Sequence, residues 1–251
     1  MTTLTGKVAV VTGGGQGVGR GIALALATEG AQVVVCGRTA ATLAQVGEEL
    51  RLRGATALEV VCDVSQPGDL ASLVDQTVRR FGTVDILVNN AALIPHGSIL
   101  EIDEALVQGA WEAGPMAALR LMRLCHPHLL GGGAVINVSS GVAVAAQSPN
   151  RGIYAATKAS LNAISRAAAN EWGPDGIRVN VIMPFALTDA VDRFFTNEPE
   201  YANSILVDVP LRRVGDPETD IGRAVAFLAG PNAAYITGAT LPLDGGTSYI
   251  R

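Results

Sequence analysis

The 251-residue sequence lacks several signals that would each point to a different function. Its three cysteines, Cys36, Cys62 and Cys125, form neither a CxxC pair nor a metal-spaced cluster. Their odd number argues against a disulfide framework, so they are read as small core residues. Three histidines, His96, His126 and His128, have no metal-ligand spacing, and no metal site is expected. There is no GxSxG, the strand-to-helix elbow of many serine hydrolases. No Lys/Arg tract could follow a phosphate backbone, and 18 basic against 23 acidic residues leave a net charge of −5, so nucleic acid is an unsuitable partner. No apolar run reaches the roughly 18 residues of a membrane span, and "MTTLTGKVAVVTGGG" has neither the charged start nor the long apolar stretch of a signal peptide. A cytoplasmic chain without membrane attachment is the expectation.

What is present is a regular alternation. "KVAVVT", "AQVVVCG", "ALEVVCDV", "VDILVNN", "AVINVSS", "IRVNVIMP" and "TLPLDGG" read as strands, with helical periodicity between them near 17–29, 40–53, 67–81, 103–130, 152–172 and 217–230. Strands alternating with helices predict an α/β fold, a doubly wound seven-stranded parallel sheet with helices on both faces, spanning 1–251 as one domain. The span 185–215, holding Phe185, Phe194, Phe195 and Tyr201, interrupts the alternation and is assigned to substrate contacts.

"VAVVTGGGQGVGRGIALAL" joins a strand to a helix through a glycine turn. Such a turn tolerates positive φ angles and close approach of a ligand, while the free N–H groups of the helix start suit a pyrophosphate. Gly13, Gly15, Gln16, Gly17, Val18 and Gly19 are accordingly assigned to a dinucleotide, with a purely structural turn as the alternative. The next strand ends in Gly37 and Arg38, where an acidic residue would accept from the ribose 2′-hydroxyl of NAD. A guanidinium there favours the 2′-phosphate of NADP(H), with NAD(H) still possible; otherwise Arg38 is a solvated surface charge. Asp63, followed by Val64, ends the third strand and either contacts adenine or caps a turn.

In "GIYAATKAS", Tyr154 and Lys158 stand four apart and share a helix face. Moving a phenol pKa from near 10 to about 7 takes roughly 4 kcal/mol, about what one ammonium 4 Å away supplies at an effective dielectric of about 20. Ser139 and Ser140 close "AVINVSS" on the sheet edge that carries the glycine turn.

Together "TGGGQGVG", "NNAA", "SS", "YAATK", "RVNVIMP" and "DGG" resemble the short-chain dehydrogenase/reductase family over nearly the whole chain. The resemblance implies a Rossmann fold in which Tyr154 exchanges a proton with the substrate oxygen. By the same resemblance Lys158 lowers the tyrosine pKa and holds the nicotinamide ribose, and Ser140 positions the carbonyl. Asn89, Ala91, Pro184 and Thr188 join the cofactor residues, and a homotetramer is expected. Three departures stand out: Ala92 and Phe185 replace glycines, and the helix over 103–130 carries Gly114 where the family has an asparagine. Pro115 cannot donate to the Trp111 carbonyl, so the helix should bend and offer a backbone carbonyl in its place. Phe185, Phe194, Phe195, Ile94, Val142 and Val144 suggest an apolar pocket, and His96 either reaches the substrate or lies on a surface loop.

The resulting expectation is an NADP(H)-dependent oxidoreductase acting on a hydrophobic or aromatic ketone or its alcohol. A 3-oxoacyl thioester reductase is one alternative. A dinucleotide-binding scaffold or sensor without turnover, motivated by the missing asparagine, is the other.

Overall fold

A computed structural model describes residues 3–145 and 149–248. Seven parallel strands lie in the order β3-β2-β1-β4-β5-β6-β7. They are β1 (Val8–Thr12), β2 (Gln32–Gly37), β3 (Ala57–Val61), β4 (Ile86–Asn89), β5 (Ala134–Val138), β6 (Arg178–Pro184) and β7 (Thr240–Leu243). Every residue of β1, β4 and β5 is buried, because helices cover both faces of the sheet and leave no strand face to alternate toward water. The edge strands β3 and β7 are more accessible.

One face packs against α1 (Gly17–Thr28), α2 (Ala40–Leu52) and α9 (Arg223–Ala229), through Leu24, Leu43, Leu50 and Leu228. The other packs against α3 (Pro67–Phe81), α5 (Ala117–Leu129) and α6 (Gly152–Trp172), through Leu70, Leu73, Leu121 and Ala168. Cys36, Cys62 and Cys125 are buried and unpaired, as read. The strand order reverses direction between β1 and β4, which opens a crevice at their carboxyl ends. The glycine turn, the ends of β4 and β5 and the start of α6 all meet at that edge.

Two regions depart from the expected pattern. The helix over 103–130 is interrupted: α4 (Glu104–Trp111) gives way to a wide turn at 112–116 before α5 resumes. Gly114 sits there at φ −103°, ψ −107°, outside helical geometry, and Pro115 lies inside the turn. The expected bend is present, for the expected reason. The span 185–215, read as irregular, holds α7 (Asp189–Asn197) and α8 (Pro199–Asp208). It is closed at its base by Leu187 N–H to Gly215 O (2.8 Å) and Gly215 N–H to Phe185 O (3.1 Å). Two short helices divided by a proline carry too little periodicity to show in a window of sequence.

Candidate functional site

The glycine turn is held from below by Thr12 and Asn90, which were not singled out in the sequence, together with the expected Ala91. The Thr12 hydroxyl accepts from the Asn90 and Ala91 N–H groups (3.0 Å each), and Asn90 Nδ2 donates to the carbonyl of Thr12 at 2.8 Å and of Gly13 at 3.3 Å. Asn90 therefore fastens β4 to the turn, while the expected Asn89 turns inward. Its Nδ2 donates to Asn137 Oδ1 (2.8 Å), and its own buried Oδ1 has no partner among the described residues. The "NN" doublet was the available signal; which member faces which way follows from strand alternation at the end of β4.

Gly13 and Gly17 adopt positive φ of 64° and 52°. A Cβ on Gly19 would lie 2.3 Å from the Gly13 carbonyl oxygen, so the helix start and the turn touch backbone to backbone. Gln16, at the N-cap of α1, makes no capping hydrogen bond with its side chain, so that side chain leaves the N–H groups of the first turn to another acceptor. Those groups, the positive φ values and the open crevice fit a pyrophosphate. Thr188 packs its methyl group over Gly17, with only 3.2 Å to spare for a Cβ there, so it faces the turn across the crevice. Val18 is half-buried against the core beneath, and Gly15 lies beside Thr42.

Arg38 is exposed just beyond β2 and forms no ion pair among the described residues. Asp63 caps a turn: its Oδ1 accepts from the N–H (2.9 Å) and hydroxyl (2.7 Å) of Ser65. Those bonds, helped by the Arg38 charge, hold its carboxyl below the usual range. Val64 buries its side chain in the core, and Pro184 ends β6 in register with Leu243.

Ser139 and Ser140 separate clearly. Ser139 is 3% exposed, and its Oγ donates to the Lys158 carbonyl at 3.4 Å. Ser140, in extended backbone, opens a short turn over 141–143 and is within hydrogen-bonding reach of Tyr154. Tyr154 and Lys158 are 9% and 4% exposed on the same face of α6. The Lys158 ammonium donates to the Val138 carbonyl at 2.6 Å and stands 5.7 Å from the centre of the Tyr154 ring.

The electrostatics correct the sequence argument. Burial pushes the Tyr154 phenol above its ordinary value, with the Ser140 hydrogen bond and the Arg151 charge pulling it only partly back. Burial also pushes Lys158 down to about 8. Desolvation disfavours both charged forms, and the lysine is held to a carbonyl rather than aimed at the phenol. The protein's own groups therefore keep Tyr154 protonated at neutral pH.

Behind Lys158 the wide turn opens a cavity of about 10 Å³ lined by Thr12, Asn89, Gly114 and Lys158, with apolar neighbours including Val64 and Leu121. The apolar residues expected at the pocket are distributed unevenly. Ile94 and Val144 are 50% and 47% exposed, and Phe185 and Val142 are half-buried. His96 is exposed, and the side chains of Phe194 and Tyr201 lie outside the described residues.

Residues 13–248 match a family model described as enoyl-(acyl carrier protein) reductase. A 12α-hydroxysteroid dehydrogenase from a Clostridium species is 39% identical over 256 residues, covering 98% of both chains. The chain belongs to the short-chain dehydrogenase/reductase family. A 3-oxoacyl-[acyl-carrier-protein] reductase of Staphylococcus aureus is 34% identical, covering 96% of this chain and 97% of the relative. Among solved structures, a 7α-hydroxysteroid dehydrogenase complexed with NADH and 7-oxo glycochenodeoxycholic acid superposes with a TM-score of 0.92 at 35% identity, covering 98% of this chain and 96% of that one. A blue fluorescent protein from a metagenomic library, in complex with NADPH, superposes with a TM-score of 0.91 at 31% identity, covering 98% and 100%. As a short-chain dehydrogenase/reductase the protein is an oxidoreductase acting between alcohol and carbonyl. Among its described residues no helix is long and apolar enough to cross a membrane.

Proposed function

We propose that the protein is an NADP(H)-dependent reductase of hydrophobic cyclic or aromatic ketones. The observation that carries this reading is the convergence of Ser140, Tyr154 and Lys158 at the crevice edge beside a glycine turn free to take a pyrophosphate. When bound, the nicotinamide supplies the hydride. Ser140 holds the substrate carbonyl by hydrogen bonding, and Tyr154, kept protonated by its burial, donates the phenolic proton to the carbonyl oxygen. Positioned proton transfer of this kind contributes about 10²–10⁴ in rate. The Lys158 ammonium, on the same helix face, can then hand a proton onward to the phenolate.

The cavity behind Lys158 supports a route for that proton despite the absent asparagine. Its volume of about 10 Å³ is at the lower limit of what holds one water molecule. Lys158 and Asn89 Oδ1, which has no partner among the described residues, provide a donor and an acceptor, and the turn at Gly114 opens the backbone beside them. Pro115→Ala, which restores a donor to the helix, is expected to lower kcat about tenfold, toward the low end of what proton transfer contributes, with unchanged NADPH affinity. Stopped-flow turnover with and without deuterated solvent checks this.

Arg38, exposed and in no ion pair among the described residues, supports the preference for a 2′-phosphate. Arg38→Asp is expected to reverse the preference, weakening NADPH by tenfold or more, since a charged hydrogen bond contributes about 1.5–3 kcal/mol. NADPH and NADH titrations by fluorescence measure both arms. Half-exposed Ile94, Val144 and Leu187 support an apolar substrate, as do the hydroxysteroid substrates in the relatives' names. The deciding experiment follows NADPH oxidation at 340 nm against steroid ketones, aryl ketones and 3-oxoacyl thioesters. Turnover of the thioesters alone would give the acyl reductase alternative; tight NADPH binding with no turnover would give the sensor.

A further inference from the structure

The segment after β7 does more than end the sheet. Asp244 is 5% exposed, and its carboxylate gathers the backbone that follows it. Oδ1 accepts from the N–H of Gly246 (3.0 Å) and Thr247 (3.2 Å), and Oδ2 accepts from Ser248 N–H (2.8 Å). The Thr247 hydroxyl donates back to the Asp244 carbonyl at 2.7 Å. Three N–H groups on one buried carboxylate make a tight, charge-assisted turn.

That turn touches two parts of the site. On one side, Gly245 and Gly246, at φ 68° and 94°, press on the limb by which the 185–215 span returns to the core. A Cβ on Gly245 would meet Val209 at 2.8 Å, one on Gly246 would meet Pro210 at 2.9 Å, and Leu211 N–H donates to the Gly245 carbonyl at 3.2 Å. On the other side, Ser248 Oγ sits 2.6 Å from where a Gly141 Cβ would be, which places it against the residue after Ser140.

We propose that Ser248 forms a wall of the substrate site and sets which ketone substituents fit, and that Asp244 is the positioning residue that holds it there. The Asp244 turn thereby joins the 209–211 limb to the Ser140 turn, so that the substrate-side span and the carbonyl-holding serine keep a fixed distance. This inference rests on the reading of Ser140 and Tyr154 as the reaction centre. Its mechanical half, the joining of the two segments, stands on contacts alone.

The test uses the full chain with NADPH and aryl alkyl ketones of increasing alkyl length. Ser248→Leu overpacks the wall and is expected to raise KM about tenfold. The rise should grow with alkyl length, while kcat and NADPH affinity stay within about threefold, the signature of lost binding rather than lost chemistry. Ser248→Ala, which cannot clash, should shift preference toward the longer ketones. Asp244→Asn places an NH₂ group against one or more of the N–H groups now held. It should raise KM in the same direction and speed hydrogen exchange in both 139–145 and 205–213, but not in α1. Unchanged KM for every ketone in both Ser248 variants would overturn the specificity role. Faster exchange confined to 244–248 in Asp244→Asn would overturn the joining role. Should the unaltered protein reduce no ketone in the series or the wider panel, the reductase reading fails with the specificity role, and the exchange measurement alone decides the joining role.

Discussion

Tyr154→Phe is expected to lower NADPH-dependent ketone reduction by about 10²–10⁴-fold while leaving NADPH affinity and the melting temperature nearly unchanged. The ring is buried on α6, and phenylalanine keeps its shape, so packing is retained and only the hydroxyl beside Ser140 is lost. Because burial holds the phenol above its ordinary pKa, the acid form is available throughout the neutral range. Reduction should therefore show no loss on an acidic limb assignable to this residue. Oxidation of the alcohol, which needs the phenolate, should rise with pH. Steady-state rates in both directions between pH 6 and 10 would check this, and a variant retaining more than a tenth of the turnover would show that the phenol is not the proton donor.

Lys158→Met is expected to separate stability from activity. The ammonium is fully buried, and desolvation brings it from its ordinary 10.5 down to about 8. At about 1.4 kcal/mol per unit, that difference costs the folded state roughly 3 kcal/mol when the group is charged in both states. Methionine fills similar space without charge but leaves the Val138 carbonyl without its donor, which offsets about 1 kcal/mol. The net gain of about 2 kcal/mol should raise the melting temperature at pH 7 by roughly 4–8 °C, while reduction falls at least as far as in Tyr154→Phe. The sign follows from linkage. Below the folded value of about 8 the native chain bears the whole penalty. Between 8 and 10.5 the unfolded chain binds the extra proton, and the penalty disappears as pH rises. The advantage of the variant should therefore shrink through that window, vanish before pH 10.5, and give way there to a deficit of about 1 kcal/mol from the missing donor to the Val138 carbonyl. Calorimetry at pH 7, 9 and 10.5 reads it directly; a variant less stable than the native protein at pH 7 would show that the carbonyl bond outweighs the desolvation.

Much of the site was legible in the sequence because its signals are local. The glycine turn follows from spacing, the shared face of Tyr154 and Lys158 from the helical repeat, and the break near Gly114 from the missing N–H of Pro115. The alternation of apolar strands and amphipathic helices was enough to specify the parallel, doubly wound sheet, since strands buried on both faces need helices on both sides. The residues that support the site were less visible. Thr12, Asn90 and Ser248 act through hydrogen bonds or contacts across long separations in the chain, such as the 78 positions from Thr12 to Asn90, while Asp244 gathers only the residues that follow it and matters through what their turn touches.

The sequence by itself determined the order of the elements and the chemistry brought to the crevice. Only the tertiary structure decided how that chemistry is tuned. Spacing alone put an ammonium near a phenol and implied a lowered tyrosine pKa; the packed structure reversed that direction, because burial acts on every charge in the site at once. It likewise separated Ser139, turned into the core, from Ser140, which faces Tyr154, a distinction made by where β5 ends rather than by either residue's identity. Local pattern encodes which groups arrive at a sheet edge, whereas desolvation and orientation depend on everything that packs around them.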